Sequence, residues 1–242
     1  ITAEELAMVT RERFFEVYNG HPGVNHRGDA THAGVERMWD IINTLRIGEM
    51  KAAPVDGLAT DDSHNYFGQS GSSPGRGWIM VRARFLTPES IIRAMESSDF
   101  YASSGVTLRE VTYSPDDKLL RLEIAPKAGE SYTTQFIGTL KGWDPTRHPV
   151  ADEDGKPLPV TRRYSKDVGK VLATTKGTKA VYRLTGEELY VRAVVTSSEA
   201  PENPSYPDQK AQAWTQPVGW ELALALARNP RAESAKRPEN GR

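Results

Sequence analysis

Hydrophobic and polar positions follow two different periods along this chain, and the change falls near residue 104. Before it, apolar residues at helical spacing predict an amphipathic helix over residues 34–47, and Thr87 followed by Pro88 marks the start of another helix. Three short apolar runs between the helices predict buried strands: residues 14–18, 55–60 and 78–84. Strands that alternate with helices are typical of a parallel α/β architecture, which we expect over residues 1–104.

After residue 104 the apolar positions alternate with a period of two, and no helical pattern separates the runs. Six segments predict strands: residues 108–114, 118–125, 133–140, 170–175, 179–184 and 188–197. Several short strands joined by turns favour an antiparallel β-sandwich, which we place at residues 105–220. Residues 221–242 are charged and contain proline, and they are predicted to form a disordered tail.

The charge balance bears on the class of partner. The 31 lysines and arginines nearly equal the 32 aspartates and glutamates, so the chain has no electrostatic reason to favour nucleic acid or an anionic membrane. No apolar run approaches the roughly 20 residues that cross a bilayer. We therefore expect neither a nucleic-acid partner nor a membrane partner.

Cysteine is absent from the sequence, which excludes disulfides, thiolate nucleophiles and cysteine metal ligands. The chain starts at Ile1 and opens directly into a predicted helix, without a signal peptide. We interpret this opening as the interior of a fold, with processing, truncation or an absent segment as alternative explanations.

The segment DDSHNY, residues 61–66, follows the predicted strand GLAT and is the strongest local signal. Loops after parallel strands point toward ligand sites, and an Asp-x-His pair places a carboxylate and an imidazole within reach of one ion. Asp62 and His64 are therefore candidate metal ligands. A polar loop with a helix cap is the alternative interpretation.

A second signal is EVYNGHPG, residues 16–23, in which Asn19 and His21 follow another predicted strand. Glu16 is expected inside the buried strand, where a carboxylate is costly unless paired. A turn with a hydrogen-bonded histidine explains the segment equally well. In the glycine-rich loop SSPGRGW, Arg76 could clamp a phosphate or carboxylate, and a mobile surface loop is the alternative.

The remaining candidates have simpler interpretations. His26, His32 and His148 lie in polar segments and are expected to be solvated. Trp214 and Trp220 flank Gln-Pro-Val, and they are expected to close the hydrophobic core of the sandwich rather than form a sugar-stacking platform.

Taken in order, EVYNGHPG, VERMWDII, GLATDDSHNY, PGRGWIMVRA and TPESIIRAMESSDFYASSGV resemble the late part of the PHP (polymerase and histidinol phosphatase) domain family, over about residues 1–106. The last metal motif of that family is an Asp-x-His pair at a strand end, matched here by Asp62 and His64. The all-β remainder resembles domains that follow the PHP domain in some secreted or periplasmic members, which implies a periplasmic or extracellular location.

This resemblance implies the C-terminal part of a distorted (β/α)7 barrel with two or three zinc, manganese or iron ions. It implies hydrolysis of a small-molecule phosphoric ester by a metal-bound hydroxide, with Asp62 and His64 as catalytic metal ligands. Asn19 and His21 are candidate substrate-binding residues within a subgroup-like phrase, and Arg76 is a candidate phosphate clamp.

The chain departs from the family pattern because it has no His-x-His pair and only five histidines. A further polypeptide segment is therefore expected to complete the barrel and the metal centre. Two alternatives remain open. One is a non-catalytic module that binds a glycan or a protein, and the other is a metal-dependent hydrolase of a non-phosphate bond.

Overall fold

The structure is a computed structural model that describes residues 1–67 and 71–228. It is mostly β, with 34% strand and 17% helix. The helices are α1 (Ala3–Met8), α2 (Val35–Thr44), α3 (Pro88–Glu96) and α4 (Trp220–Arg228), and a π-helical segment, Leu45–Met50, continues α2. The strands are β1 (Phe14–Asn19), β2 (Asp56–Thr60), β3 (Trp78–Val81), β4 (Phe100–Ser103), β5 (Leu108–Ser114), β6 (Leu119–Ile124), β7 (Tyr132–Leu140), β8 (Arg147–His148), β9 (Arg163–Tyr164), β10 (Lys170–Lys176), β11 (Lys179–Arg183), β12 (Glu188–Ser197) and β13 (Gln212–Thr215).

An antiparallel six-stranded sheet forms the centre of the molecule, with the strand order β10, β7, β12, β13, β4, β3. Successive side chains of a strand point to opposite faces, and here both faces are covered. Phe136 and Ala213 face one core, whereas the next residues, Ile137 and Trp214, face another. Burial on both sides explains why β12 reads as an almost continuous apolar run.

A three-stranded antiparallel sheet, ordered β11, β6, β5, covers one face of the central sheet. Leu120, Leu122 and Ile124 of β6 pack in one core with Phe136 and Val195 of the central sheet. The predicted strands of the second half are all present, and their antiparallel pairing agrees with the prediction from the period-two pattern.

The other face of the central sheet is covered by α1, α2 and the parallel pair β1–β2. The register runs from Phe14 opposite Asp56 to Asn19 opposite Thr60, so both strands end at the same edge. Trp39 of α2 is fully buried and donates its indole N–H to the carbonyl of Val55 at 2.8 Å. This packing fixes β2 against the helix and places the segment after Thr60 at the surface.

The expected parallel α/β architecture is wrong for β3 and β4. Both strands pair antiparallel and belong to the central sheet, where β4 lies beside β13. The α3 helix that joins them starts at Thr87 and Pro88 as predicted, but it has no buried residue. It is a surface excursion rather than a crossover helix that covers a sheet. The predicted boundary at residue 104 consequently falls within the central sheet, and among the described residues parallel pairing occurs in β1–β2 alone.

The predicted disorder of residues 221–242 is wrong for its first part, because α4 continues to Arg228. Ala223 and Leu224 are buried against Ile47, Leu189 and Tyr190, so apolar packing holds the helix in place. Residues 229–242 lie outside the described residues. No helix within residues 1–67 and 71–228 is long and apolar enough to cross a membrane.

A buried charge network joins α2 to β12. The guanidinium of Arg192 donates to both carboxylate oxygens of Asp40, at 2.8 and 2.7 Å, and also to Glu36 at 3.2 Å. The hydroxyl of Tyr190 donates to the same carboxylate at 2.8 Å. The Arg192 guanidinium also lies 4.7 Å from the ring centroid of Trp39. This network holds the helix layer to the central sheet.

Candidate functional site

The ends of β1 and β2 bring two of the predicted residues into contact. The side-chain amide of Asn19 donates to the carboxylate of Asp62 at 3.2 Å and to that of Glu16 at 2.9 Å. The hydroxyl of Thr60 donates to the other carboxylate oxygen of Glu16. We call Glu16, Asn19, Asp62 and His64 the strand-end cluster. Glu16 is exposed rather than buried as expected, whereas the next residue, Val17, is buried.

The two neighbouring aspartates have different roles. The carboxylate of Asp61 accepts hydrogen bonds from three backbone N–H groups of one loop, those of Gly75, Arg76 and Gly77, at 3.1, 2.6 and 2.8 Å. These bonds anchor the glycine-rich loop to the end of β2. Asp62, in contrast, has a side chain that is 39% exposed.

Asp62 has a backbone φ of 45°, in the left-handed region that residues with a Cβ rarely adopt. The turn after β2 requires this conformation, and aspartate tolerates it better than most residues. Backbone strain of this kind persists where surrounding contacts hold it, and it is concentrated at functional sites. The conformation directs the chain so that Asp62 meets Asn19.

The hydrogen bonds of His64 define its tautomer when the ring is neutral. Its Nδ1 lies 2.8 Å from the backbone carbonyl of Asp62, and a carbonyl can only accept a hydrogen bond, so Nδ1 carries the proton. The lone pair is therefore on Nε2. Metal-binding histidines commonly use this arrangement, with one nitrogen bound to a carbonyl and the other free for the ion. The side chain is 71% exposed, and its Nδ1 is 3.6 Å from the carboxylate of Asp62.

His21 lies beside this cluster, with its ring centroid 6.0 Å from that of His64. Its backbone N–H donates to the side-chain carbonyl of Asn19 at 2.7 Å, and its Nδ1 accepts from the N–H of Gly23 at 3.0 Å. The turn is therefore held by its own hydrogen bonds, as the alternative interpretation proposed. A role of His21 in substrate binding stays a prediction.

Arg76 is buried, and protein groups already accept its hydrogen bonds. It donates to the carbonyl of Gly20 at 3.0 Å and to the side-chain carbonyl of Asn203 at 3.2 Å. These contacts tie the glycine-rich loop to the turn after β1 and to a segment 127 residues away in sequence. They explain the burial of Arg76 without a ligand, and its function as a phosphate clamp stays a prediction.

The strand-end cluster supplies only some of the ligands of a metal centre. Within the described part of the chain, no group of three or more histidine, aspartate or glutamate side chains is arranged to hold an ion. Asp62 and His64 supply two ligands of suitable chemistry, whereas a tetrahedral zinc site takes four. The described residues therefore fit part of a metal site and do not complete one.

The other three histidines and the two tryptophans near the C-terminal end differ in their burial. His32 and His148 are exposed or nearly so, as expected, but His26 is half-buried and stacks on Tyr18 with 4.9 Å between ring centroids. Its Nε2 donates to the carbonyl of Asn19 at 2.7 Å, and burial lowers its pKa. Trp214 is buried, but in the core between the central sheet and the layer of α1, α2 and the β1–β2 pair, and Trp220 is only partly buried. The expectation that these two residues close the core of the sandwich is therefore wrong. The aromatic surroundings of His26 come from distant segments, so its local sequence carried no signal for them.

Comparison of the chain with protein-family models, curated protein sequences and solved structures gave no match.

Proposed function

We propose that this chain is part of a metal-dependent hydrolase of phosphoric esters, in which Asp62 and His64 are two of the metal ligands. The remaining ligands would come from polypeptide outside this sequence, which would also complete a barrel of the PHP type around β1 and β2. The proposal combines the motif resemblance with the arrangement at the end of β2.

The observation that carries the proposal is the position and exposure of Asp62 and His64, together with the tautomer of His64. Both side chains follow the carboxyl end of a parallel strand, both are at least partly exposed, and the His64 tautomer leaves Nε2 available to an ion. Asn19 holds one oxygen of Asp62 and so limits the orientations of the carboxylate. Such outer contacts orient metal ligands and raise their affinity for the ion.

The outer edge of β1 has no paired strand among the described residues, and this is a second observation in favour of a further polypeptide. Parallel sheets are almost always buried on both faces, and two strands alone are marginally stable. Phe14 and Phe15 of β1 are only partly buried. A strand added beside β1 would cover this edge and bring its own carboxyl end toward Asp62.

Divalent metal ions bound at such a site lower the pKa of a coordinated water and neutralise charge on phosphoryl oxygens. The residues of this chain would bind and orient: Asp62 and His64 as ligands, and Asn19 as a positioning residue for Asp62. The ring of His21 lies 6.0 Å from that of His64, and His21 would contact a substrate bound there.

The test is to purify the natural full-length protein with any polypeptide that accompanies it, and to measure both its metal content and its hydrolysis of an aryl phosphate ester. Intact mass shows whether a further polypeptide is present. We expect Asp62→Ala and His64→Ala to lose bound metal and hydrolysis together. His148→Ala is the matched control, since it removes an exposed histidine outside the strand-end cluster.

Hydrolysis that survives either substitution would refute the site assignment. A protein that holds no stoichiometric metal would favour the non-catalytic binding module. Metal-dependent activity on carboxylic esters or amides, but not on phosphoric esters, would favour the second alternative.

A further inference from the structure

A cavity of about 400 Å³ opens between β1, the start of α2, the strands β12 and β13, and the segment around Tyr206. We call it the aromatic cavity, because Tyr18, His26, Tyr206 and Trp214 all contribute to its wall. Its volume lies within the range of small-molecule sites. It borders the strand-end cluster through His26, which donates to the carbonyl of Asn19.

The four aromatic rings form a continuous array. Centroid distances are 5.6 Å from Trp214 to Tyr18, 4.9 Å from Tyr18 to His26, and 5.3 Å from His26 to Tyr206. Tyr18 is further fixed by hydrogen bonds with Ser205 and Gln209, at 3.0 and 2.9 Å. The wall is therefore rigid before any ligand binds, which reduces the entropy lost on binding.

Trp214 carries an unsatisfied donor. The residue is 2% exposed, and its indole Nε1 is buried without a hydrogen-bond partner among the described residues. Leaving a buried donor unpaired is costly, and most such groups in folded proteins have a partner. Trp214 forms part of the cavity wall, but its indole nitrogen is buried behind the wall, so a ligand in the cavity can contact the ring and does not reach the N–H group.

The charges around the cavity balance. Arg27 and Lys210 are positive, and Glu36 and Asp208 are negative. The guanidinium of Arg27 lies 5.1 Å from the centroid of Tyr206. An anionic ligand finds no excess of positive charge here, and a cationic ligand finds no excess of negative charge. The balance favours a neutral ligand.

Polar groups of both kinds remain available on the wall. Because Nε2 of His26 donates to Asn19, its Nδ1 is an acceptor. Thr196 accepts from the amide of Gln212 at 3.2 Å, which leaves the hydroxyl proton of Thr196 free to donate. Donors and acceptors on one wall suit hydroxyl groups, which can both donate and accept.

From these features we propose that the aromatic cavity binds one neutral sugar residue. Its hydroxyl groups would exchange hydrogen bonds with Thr196 and His26, while an apolar face of the sugar ring would contact the partly exposed Tyr206. This site does not depend on the proposed hydrolase function, because no metal ligand takes part.

The test follows the indole N–H of Trp214 by ¹H–¹⁵N NMR of the full chain. The five tryptophans give five indole signals, and Trp214→Phe assigns the relevant one. The probes are D-glucose, D-galactose, D-mannose and N-acetyl-D-glucosamine, added singly at millimolar concentration. Sorbitol, an open-chain polyol, and L-alanine, a zwitterion, serve as comparison compounds.

We expect a saturable shift of the Trp214 signal with at least one sugar and none with sorbitol or L-alanine. Thr196→Val should weaken that binding roughly five- to tenfold, the effect of losing one hydrogen bond. The signal of Trp220, which lines a different cavity, should not move. Thr196→Val also serves as the decisive variant if Trp214→Phe does not fold.

Four results would overturn the proposal: no saturable shift with any sugar, equal shifts of the Trp214 and Trp220 signals, a shift with L-alanine or sorbitol in place of the sugars, or unchanged sugar affinity in Thr196→Val. His64→Ala separates sugar binding from the proposed hydrolase function, since it should remove metal binding and leave sugar binding intact.

Discussion

Two pairs of side chains in this protein, each containing one aspartate, differ in their surroundings: one pair is buried and the other lies at the surface. Asp40 and Arg192 are buried, joined by two hydrogen bonds of 2.8 and 2.7 Å, and completed by Tyr190. Asp62 and His64 lie at the surface, and Nδ1 of His64 is 3.6 Å from a carboxylate oxygen of Asp62. In the first pair, the hydrogen-bonding atoms are already paired with other protein groups. In the second pair, atoms that can bind a ligand remain accessible, as a binding site requires.

The buried surroundings also shift the pKa values of Arg192 and Tyr190. Burial by itself lowers the pKa of Arg192, but the adjacent Asp40 carboxylate outweighs this effect and raises it above the ordinary value. Burial raises the pKa of Tyr190, and the Asp40 carboxylate raises it further. Arg192 therefore stays charged and Tyr190 stays neutral at physiological pH, which is suited to a structural role.

The largest effect is expected from Asp40→Ala, which leaves the buried guanidinium of Arg192 without its main partner. Breaking a buried pair from one side costs about 3–5 kcal/mol. Urea unfolding of the variant measures the loss, and Asp116→Ala, at an exposed turn position, is the control. A loss below about 1 kcal/mol would mean that the network contributes little to stability.

Asp56 lies buried at the start of β2, whereas Asp62 follows the end of the same strand. The two aspartates therefore allow buried and exposed surroundings to be compared within one strand. Burial raises the pKa of Asp56 from 3.8 to about 6, against a hydrogen bond of 2.7 Å from Ser98 that lowers it. The folded protein thus holds this proton more tightly than the unfolded chain. The stabilisation that this bound proton provides is complete below about pH 4 and is lost as the pH rises through about 6.

Asp56→Asn should remove this dependence and stabilise the protein at pH 7 by on the order of 2–3 kcal/mol. Urea unfolding of both proteins from about pH 4 to pH 7 gives the difference curve. An identical pH dependence in the two proteins would show that Asp56 does not titrate in this range.

The strain at Asp62 is measured by comparing Asp62→Ala with Asp62→Gly. A Cβ in the left-handed region costs roughly 1–2 kcal/mol, and part of the gain from glycine is lost to its greater freedom in the unfolded chain. The glycine variant should therefore be more stable than the alanine variant by about 0.5–1 kcal/mol. Equal stabilities would indicate that the turn relaxes when the carboxylate is absent.

The smallest effect on stability is expected from His64→Ala, within about ±0.5 kcal/mol, because the side chain is largely exposed. The thermal unfolding midpoint measures it, with the metal-free protein as the reference state. A loss greater than about 1 kcal/mol would show that His64 is structural and would weaken the contrast with Asp40.

Local pattern predicted most elements but failed on the pairing of β3 and β4. The start of α3 at Thr87 and Pro88 depends on residues next to each other in sequence, and it was predicted correctly. The placement of β4 beside β13 depends on Trp214 and Ala102, which are 112 positions apart, and no local period reports such a contact. The same limit applies to α4, whose position depends on contacts with Leu189 and Tyr190.

The candidate site shows the same division. Sequence alone predicted that Asn19 and Asp62 would each follow a strand, because turn residues interrupt apolar runs at both points. Only the parallel pairing of β1 with β2 brought them to 3.2 Å, and only the chain fold surrounded His26 with Tyr18 and Tyr206. Periodicity is set by neighbours along the chain, whereas hydrogen bonds, burial and cavity walls are set by residues that meet only when the chain has folded.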